Sequence, residues 1–345
     1  MTVVARRPRE LNPRFDMEYK VTEKMLPNHL LADTLQALAG CYAGIGAELY
    51  VVGATARDIA LRLLNVEMQL RGTLDLDVAV SLERWEQFQQ LSDVLLEHYF
   101  VKLPERQRFR YVGKDGCNGY IVDIVPFGGI AEEERVSWPP EGSPVMSVRC
   151  FNDVMSAADT VNVDGAFTFR IASLSGQFLL KLDTWQDRHL QTKKDAEDMV
   201  YILKNVYVAY ALSREGLADE IDLETEHFDL VVAGAEWIAS DLKRMLTASH
   251  RHYYAQLLGD FSSEFAPDGF VVFLEKFHHR FLFVGREDAH EDLGYAQVGA
   301  YPHLADGDHR AAEHCHALAA DNLGQVALDF PGDLELAGSC RFVIH

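Results

Sequence analysis

The sequence predicts an α+β fold: a mixed sheet flanked by helices, followed by a helical domain. Three observations lead there. Short strand-like runs with period-two alternation fill the first half, long stretches of helical period fill residues 174–258, and 48% of the 345 residues are hydrophobic, enough for a sizeable core. The divisions that follow are 1–172 for the strand-rich part, 173–285 for the helical part and 286–345 for a weakly periodic tail.

In chain order, residues 1–25 read as an extended lead-in. Leu31, Leu35, Leu38 and Cys41 recur at three and four, which predicts a helix from Asn28 to about Ala47. Glu48 to Val52 is a short apolar strand running into a small-residue turn, Gly53-Ala54-Thr55-Ala56, then Arg57-Asp58 and a helix from Ile59 to Leu64. Leu74 to Val80 alternates as a strand, and Ser81 is placed to cap a helix carrying Trp85, Phe88 and Leu91. Two further strands, Phe109–Val112 and Tyr120–Val125, flank a hairpin-like turn at residues 113–116. Residues 128–166 give no clear register, and Phe167–Ile171 is another strand. The helical half reads as Leu174–His189, Lys194–Asn205, Glu224–Leu246 and Arg251–Leu258.

Charge and cysteines restrict the partners. Asp plus Glu number 53 against 32 Lys plus Arg, a net −21, so the chain as a whole repels phosphate backbones. Five scattered cysteines without a CxxC predict reduced thiols and a cytoplasmic protein. No run of 18 apolar residues occurs, and no membrane association is expected. The His309, His314, Cys315 and His316 cluster matches no zinc spacing, and His250 and His252 are expected on an exposed helix face.

Asp75 and Asp77 carry the strongest chemical signal. Residues two apart on a strand face one side, so both carboxylates project together and repel unless a cation lies between them. Hard oxygen donors suit Mg²⁺, which bridges phosphate oxygens. Asp123, inside the apolar run Tyr120-Ile121-Val122-Asp123-Ile124-Val125, is a third acid that is costly to bury without a partner. Upstream, the turn after Val52 places small residues at a helix start, where backbone N–H groups can approach a phosphate.

The stretch VVGATARDIALRLL…RGTLDLDV resembles the head of DNA polymerase β-type nucleotidyltransferases, and more narrowly the AbiEii/AbiGii toxin-like branch. That resemblance implies a phosphate-cradling turn at Gly53, Ala54 and Thr55, with Arg57 and Arg71 also toward the nucleotide. It implies a two-metal Mg²⁺ site on Asp75, Asp77 and Asp123, with Asp123 activating the attacking hydroxyl. The chain has Gly53-Ala54 where the family often has Gly-Gly or Gly-Ser. Arg57-Asp58 also looks like the GGxVRD segment of CCA-adding enzymes and poly(A) polymerases.

A second cluster lies in the helical half. Lys181 and Arg188 are seven apart and share a helix face, and Asp195 and Asp198 are three apart on the next helix. This resembles the K…R…KDxxD pattern of the same toxin-like branch. It implies triphosphate binding by Lys181 and Arg188 and an essential acid at Asp195, with Asp198 as its alternate. The resemblance covers about residues 45–205. It implies transfer of a nucleoside monophosphate from an NTP to an acceptor hydroxyl on a tRNA 3′ end or a protein, and a cognate antitoxin as partner. An antibiotic-type small acceptor, a CCA-adding-like enzyme and a non-catalytic binding member of the fold are the alternatives.

Overall fold

The structure, a computed structural model, describes residues 5–6, 16–66, 75–113, 116, 119–213 and 230–264. Within them the elements run β1 (Ala5–Arg6), β2 (Glu18–Val21), a 3₁₀ turn (Glu23–Met25), α1 (His29–Gly44), β3 (Tyr50–Val52), α2 (Gly53–Leu63), β4 (Asp75–Ser81), α3 (Trp85–Glu97), β5 (Phe100–Lys102), β6 (Arg108–Tyr111) and β7 (Ile121–Phe127). Then follow β8 (Arg135–Ser137), β9 (Val145–Ser147), α4 (Phe151–Ser156), β10 (Asp159–Val163), β11 (Phe167–Ile171), α5 (Leu174–Arg188), α6 (Lys194–Ser213), α7 (Leu230–Met245) and α8 (Ala248–Glu264).

The protein is α+β, with one mixed nine-stranded sheet in the order β1-β2-β10-β11-β3-β4-β7-β6-β5 and a small β8–β9 hairpin. β4 and β7 lie mid-sheet and parallel, flanked by antiparallel β3 and β6. Their sequences say why: each opens with alternation and closes on a buried apolar run, Val78-Ala79-Val80 in β4 and Ile124-Val125-Pro126-Phe127 in β7, as a strand covered on both faces requires. The polar residues at the open ends, Asp75, Asp77 and Asp123, therefore sit at the edge of the core.

Helix starts are set by local chemistry. The Asn28 side chain accepts from the Leu31 N–H at 2.8 Å, and α1 buries Leu31, Leu35, Leu38 and Cys41 as the spacing predicts. Ser173 accepts from the Gly176 N–H at 3.1 Å and starts α5. α3 differs from the expectation: Ser81 is the last residue of β4, and the helix entry is closed by Gln87, whose side-chain oxygen accepts from the N–H groups of Glu83 and Arg84. α2 also starts earlier than expected, at Gly53 rather than Ile59, so the small-residue turn is itself the first turn of the helix.

The lead-in is not merely extended. β2 pairs in parallel with β10, and the Met17 N–H donates to the buried Asp159 carboxylate at 2.8 Å. Residues 128–166, without register in the sequence, hold β8, β9, α4 and β10. These elements are short: β8 and β9 pair with each other, and β10 pairs with the adjacent β11 on one side and with the distant β2 on the other. Cys41 and Cys150 are buried free thiols. Residues 286–345, with the His309 to His316 cluster, lie outside the described residues, as do Cys117 and the tip of the turn at 114–115. No helix among the described residues is long and apolar enough to cross a membrane.

The helical segment packs directly on the sheet part: α5 and α6 both touch α2. α7 crosses α6 closely at Gly234, where a Cβ would stand 2.1 Å from the Leu203 carbonyl oxygen. α8 is fastened by polar contacts rather than by a solvated face. His250 was expected to be exposed, yet its ring bonds Asp153 at 2.6 Å and Glu134 at 2.5 Å. Burial disfavours the imidazolium, but the bonds to Asp153 and Glu134 outweigh it and hold His250 above its ordinary pKa of 6.5. A group with a raised folded pKa contributes stability that is fully present below its unfolded value and lost as pH rises through the folded one. The melting temperature is thus expected to fall as pH rises above about 6.5, and His250→Gln should flatten that slope while costing about 2 kcal/mol at acidic pH. A melting series over pH on both proteins checks this. Parallel slopes would remove His250 as the cause.

Candidate active site

β3 ends at Val52, and α2 begins at once through Gly53, whose φ is +69°. Two constraints require glycine here. The left-handed backbone disfavours any side chain. A Cβ on Gly53 would also stand 2.2 Å from Oδ2 of Asp77. The register explains the approach, because Val52 is opposite Asp77 across the β3–β4 pair. The start of α2, with its unpaired N–H groups, is thereby pressed against the acid. Thr55 is buried, and its hydroxyl donates to the Asp75 carbonyl at 3.2 Å, tying the first turn of α2 to β4.

Asp77, Asp123 and Arg108 form one row across three strands, since Asp77 is opposite Asp123 and Asp123 is opposite Arg108. Asp75 lies two residues along on the same face, opposite Ile121. Burial, with Asp123 and Asp75 adding repulsion against the pull of Lys181, pushes Asp77 up to about 6. Asp123 has a partner that sequence reasoning missed: Arg108 grips it bidentately, Nε to Oδ1 at 2.8 Å and Nη2 to Oδ2 at 2.7 Å. The available signal was the alternation in Arg108-Phe109-Arg110-Tyr111, which puts both arginines on one face of β6.

The second cluster also assembles. Lys181 of α5 lies 3.1 Å from Asp195 and 2.8 Å from Asp198. Arg188, two turns on, takes both oxygens of Asp195 at 2.6 and 2.8 Å. Asp195 is fully buried, and although burial opposes its charge, Arg188 and Lys181 hold its carboxyl below the ordinary value. Arg57 pairs with Asp58 at 2.9 Å and with Asp198 at 2.6 Å and lies over the Tyr201 ring. Arg57, Asp198, Lys181, Asp195 and Arg188 therefore run as one chain of alternating charge from α2 to α5 and α6.

The two clusters face a common cavity of about 200 Å³, bounded by Gly53, Arg57, Asp77, Lys181, Arg188 and Asp198. Ala54 also lines it. Of the other residues expected toward a nucleotide, Thr55 is not on the cavity wall, its hydroxyl being bound to the Asp75 carbonyl. Asp75 and Asp123 stand outside that wall. Arg71 lies outside the described residues. Sequence reasoning also missed Ser147 and Asp183, which bond each other at 2.5 Å on the same wall.

Among the described residues no three His, Cys, Asp or Glu side chains gather closely enough to hold a metal ion. Both Asp123 oxygens face Arg108 instead of Asp77. Asp75, Asp77 and Asp123 nonetheless share one sheet face and are oxygen donors of the kind a hard divalent cation takes, and the rise of Asp77 comes first from burial and then from its acidic neighbours. No protein-family model matches the chain, and no curated protein matches it.

Proposed function

We propose that the protein is a metal-dependent nucleotidyltransferase with a polymerase β-type core, moving a nucleoside monophosphate from an NTP to an acceptor hydroxyl with release of pyrophosphate. The observation that carries this reading is the fit of Gly53 against Asp77, which presses a helix N-terminus onto that acid with Lys181 and Arg188 on the same cavity. A triphosphate matches those features. Backbone N–H groups of Gly53 and Ala54 meet phosphate oxygens. Lys181 and Arg188 meet the charge that remains. A pair of Mg²⁺ ions, which would be held by Asp75, Asp77 and Asp123, supplies charge neutralisation at the transferred phosphoryl group.

Asp123 takes the proton of the acceptor hydroxyl in this reading, which requires Arg108 to release one of its oxygens. Asp195, by contrast, is fully buried with both oxygens given to Lys181 and Arg188, so it positions the cations rather than moving a proton. By the sequence resemblance we read the enzyme as a toxin–antitoxin or phage-defence protein, with a tRNA 3′ end or a protein as acceptor and a cognate antitoxin as partner. The net charge of −21 leaves a small acceptor in contention.

The test incubates the protein with each labelled NTP, Mg²⁺ and total tRNA, beside a protein fraction and small-molecule acceptors. Label transfer from one NTP is expected, and Asp77→Asn should reduce it by about a thousandfold, roughly 4 kcal/mol of barrier. Transfer undiminished in Asp77→Asn, or no transfer to any acceptor, would overturn the reading.

A further inference from the structure

His250 in α8 has a carboxylate on each ring nitrogen. Asp153 of α4 meets Nδ1 at 2.6 Å, and Glu134, just before β8, meets Nε2 at 2.5 Å. Behind Glu134 stands Arg149, whose Nε donates to the other Glu134 oxygen at 2.8 Å and whose Nη1 faces Asp183 of α5 at 3.5 Å. Among the described residues these are the charged groups that α4, α5 and the β8–β9 segment turn toward the ring. An imidazolium donates from both nitrogens. A neutral ring keeps one N–H and turns a lone pair toward the other carboxylate. The apolar packing beneath α8 is thin: among residues 248–258, Tyr254 and Leu258 alone are buried. Tyr253 and Tyr254 reach α5 through hydroxyl bonds to Gln186 at 2.9 Å and to Asp183 at 3.0 Å. The fully buried Cys150 thiol lies against the Tyr254 hydroxyl.

We propose that α8 is a pH-operated strap: protonated His250 holds it down, and loss of that proton releases α8, uncovering Cys150 and undoing the Tyr254 bond to Asp183 on the cavity wall. The ring sits between a buried Asp153 and a half-exposed Glu134, and their bonds outweigh burial and hold it above 6.5. On the released helix it is an ordinary histidine. A group raised in the docked form favours docking in acid and loses that contribution as pH rises through its docked value. The ratio of released to docked α8 therefore grows by up to about tenfold per pH unit above about 6.5, then levels off. The opening is local, because the sheet and its acids keep their own contacts. It acts on the cavity through Asp183 alone and is independent of what the cavity binds.

Pulsed labelling of the full chain with N-ethylmaleimide from about pH 6 to about pH 9 tests the strap, with Cys150 and Cys41 followed separately by peptide mass spectrometry. Each rate is divided by that of the urea-unfolded chain at the same pH, which removes the intrinsic rise in thiolate. Cys41 is buried in α1, away from α8, and reports global unfolding. The normalised Cys150 rate should climb by up to about tenfold per pH unit and then level off, while Cys41 stays protected. His250→Gln, which cannot carry the charge, should label fast at every pH. Glu134→Gln offers an amide N–H to the lone pair of a neutral ring, so Cys150 should stay protected at alkaline pH with a weaker slope. A Cys150 protection that is flat over this range in the native chain would overturn the proposal. So would a slope that survives His250→Gln, or a parallel rise at Cys41, which makes the opening global.

Discussion

Gly53→Ala is expected to destabilise the protein by roughly 2–4 kcal/mol and to abolish nucleotidyl transfer. An alanine at φ +69° costs about 1–2 kcal/mol for the left-handed backbone alone. The added Cβ then meets Asp77 Oδ2 at 2.2 Å, far inside contact distance, so the acid or the start of α2 must move. Neither has room. Asp77 is anchored in a ladder between β3 and β7, and α2 is tied to β4 by the Thr55 hydroxyl. Chemical denaturation measures the stability change, and labelled transfer measures the activity. A variant that keeps native stability and native transfer would show that the close approach of Gly53 to Asp77 is not required.

Asp195→Asn separates a structural acid from a catalytic one. The native carboxylate is fully buried between Lys181 and Arg188, and removing its charge leaves two cations facing a neutral amide. Breaking a buried pair costs about 3–5 kcal/mol, and the partial exposure of Arg188 places this case near 3 kcal/mol. Unfolding in denaturant should show that loss. In steady-state kinetics a positioning role raises KM for the NTP more than it lowers kcat, because Lys181 and Arg188 lose the anchor that aims them. A collapse of kcat at unchanged stability would instead make Asp195 a proton carrier and overturn its assignment as a positioning residue.

The strands and helices that were readable in sequence are those whose pattern is local. Asn28 caps α1, and a leucine at every third or fourth position buries one face, so that helix can be read residue by residue. The alternation around Asp75, Asp77 and Asp123 likewise placed all three on strands, and the structure sets them at the edge of the core. β8, β9 and β10 were not readable. Each is three to five residues long, too short for a period to stand out, and β10, besides its hairpin with β11, pairs with β2 almost the whole sheet part away in sequence. Such pairing leaves no mark on a local window. The misplaced start of α2 has a different origin: Gly53 reads as a turn, but the alanines at 54 and 56 favour helix, and packing against β4 starts the helix at the glycine itself.

By itself the sequence determined which chemistry-bearing residues exist and which of them share a face. Asp75 with Asp77, and Lys181 with Arg188, follow from the periods of a strand and a helix. Tertiary structure decided who meets whom. It set Gly53 against Asp77, gave Asp123 to Arg108, enclosed Asp195 between two cations, and turned His250 from an exposed face into the clasp of α8. Periodicity is a property of neighbouring residues along one chain segment. Strand register and helix docking join segments far apart, and only their packing fixes which charge faces which.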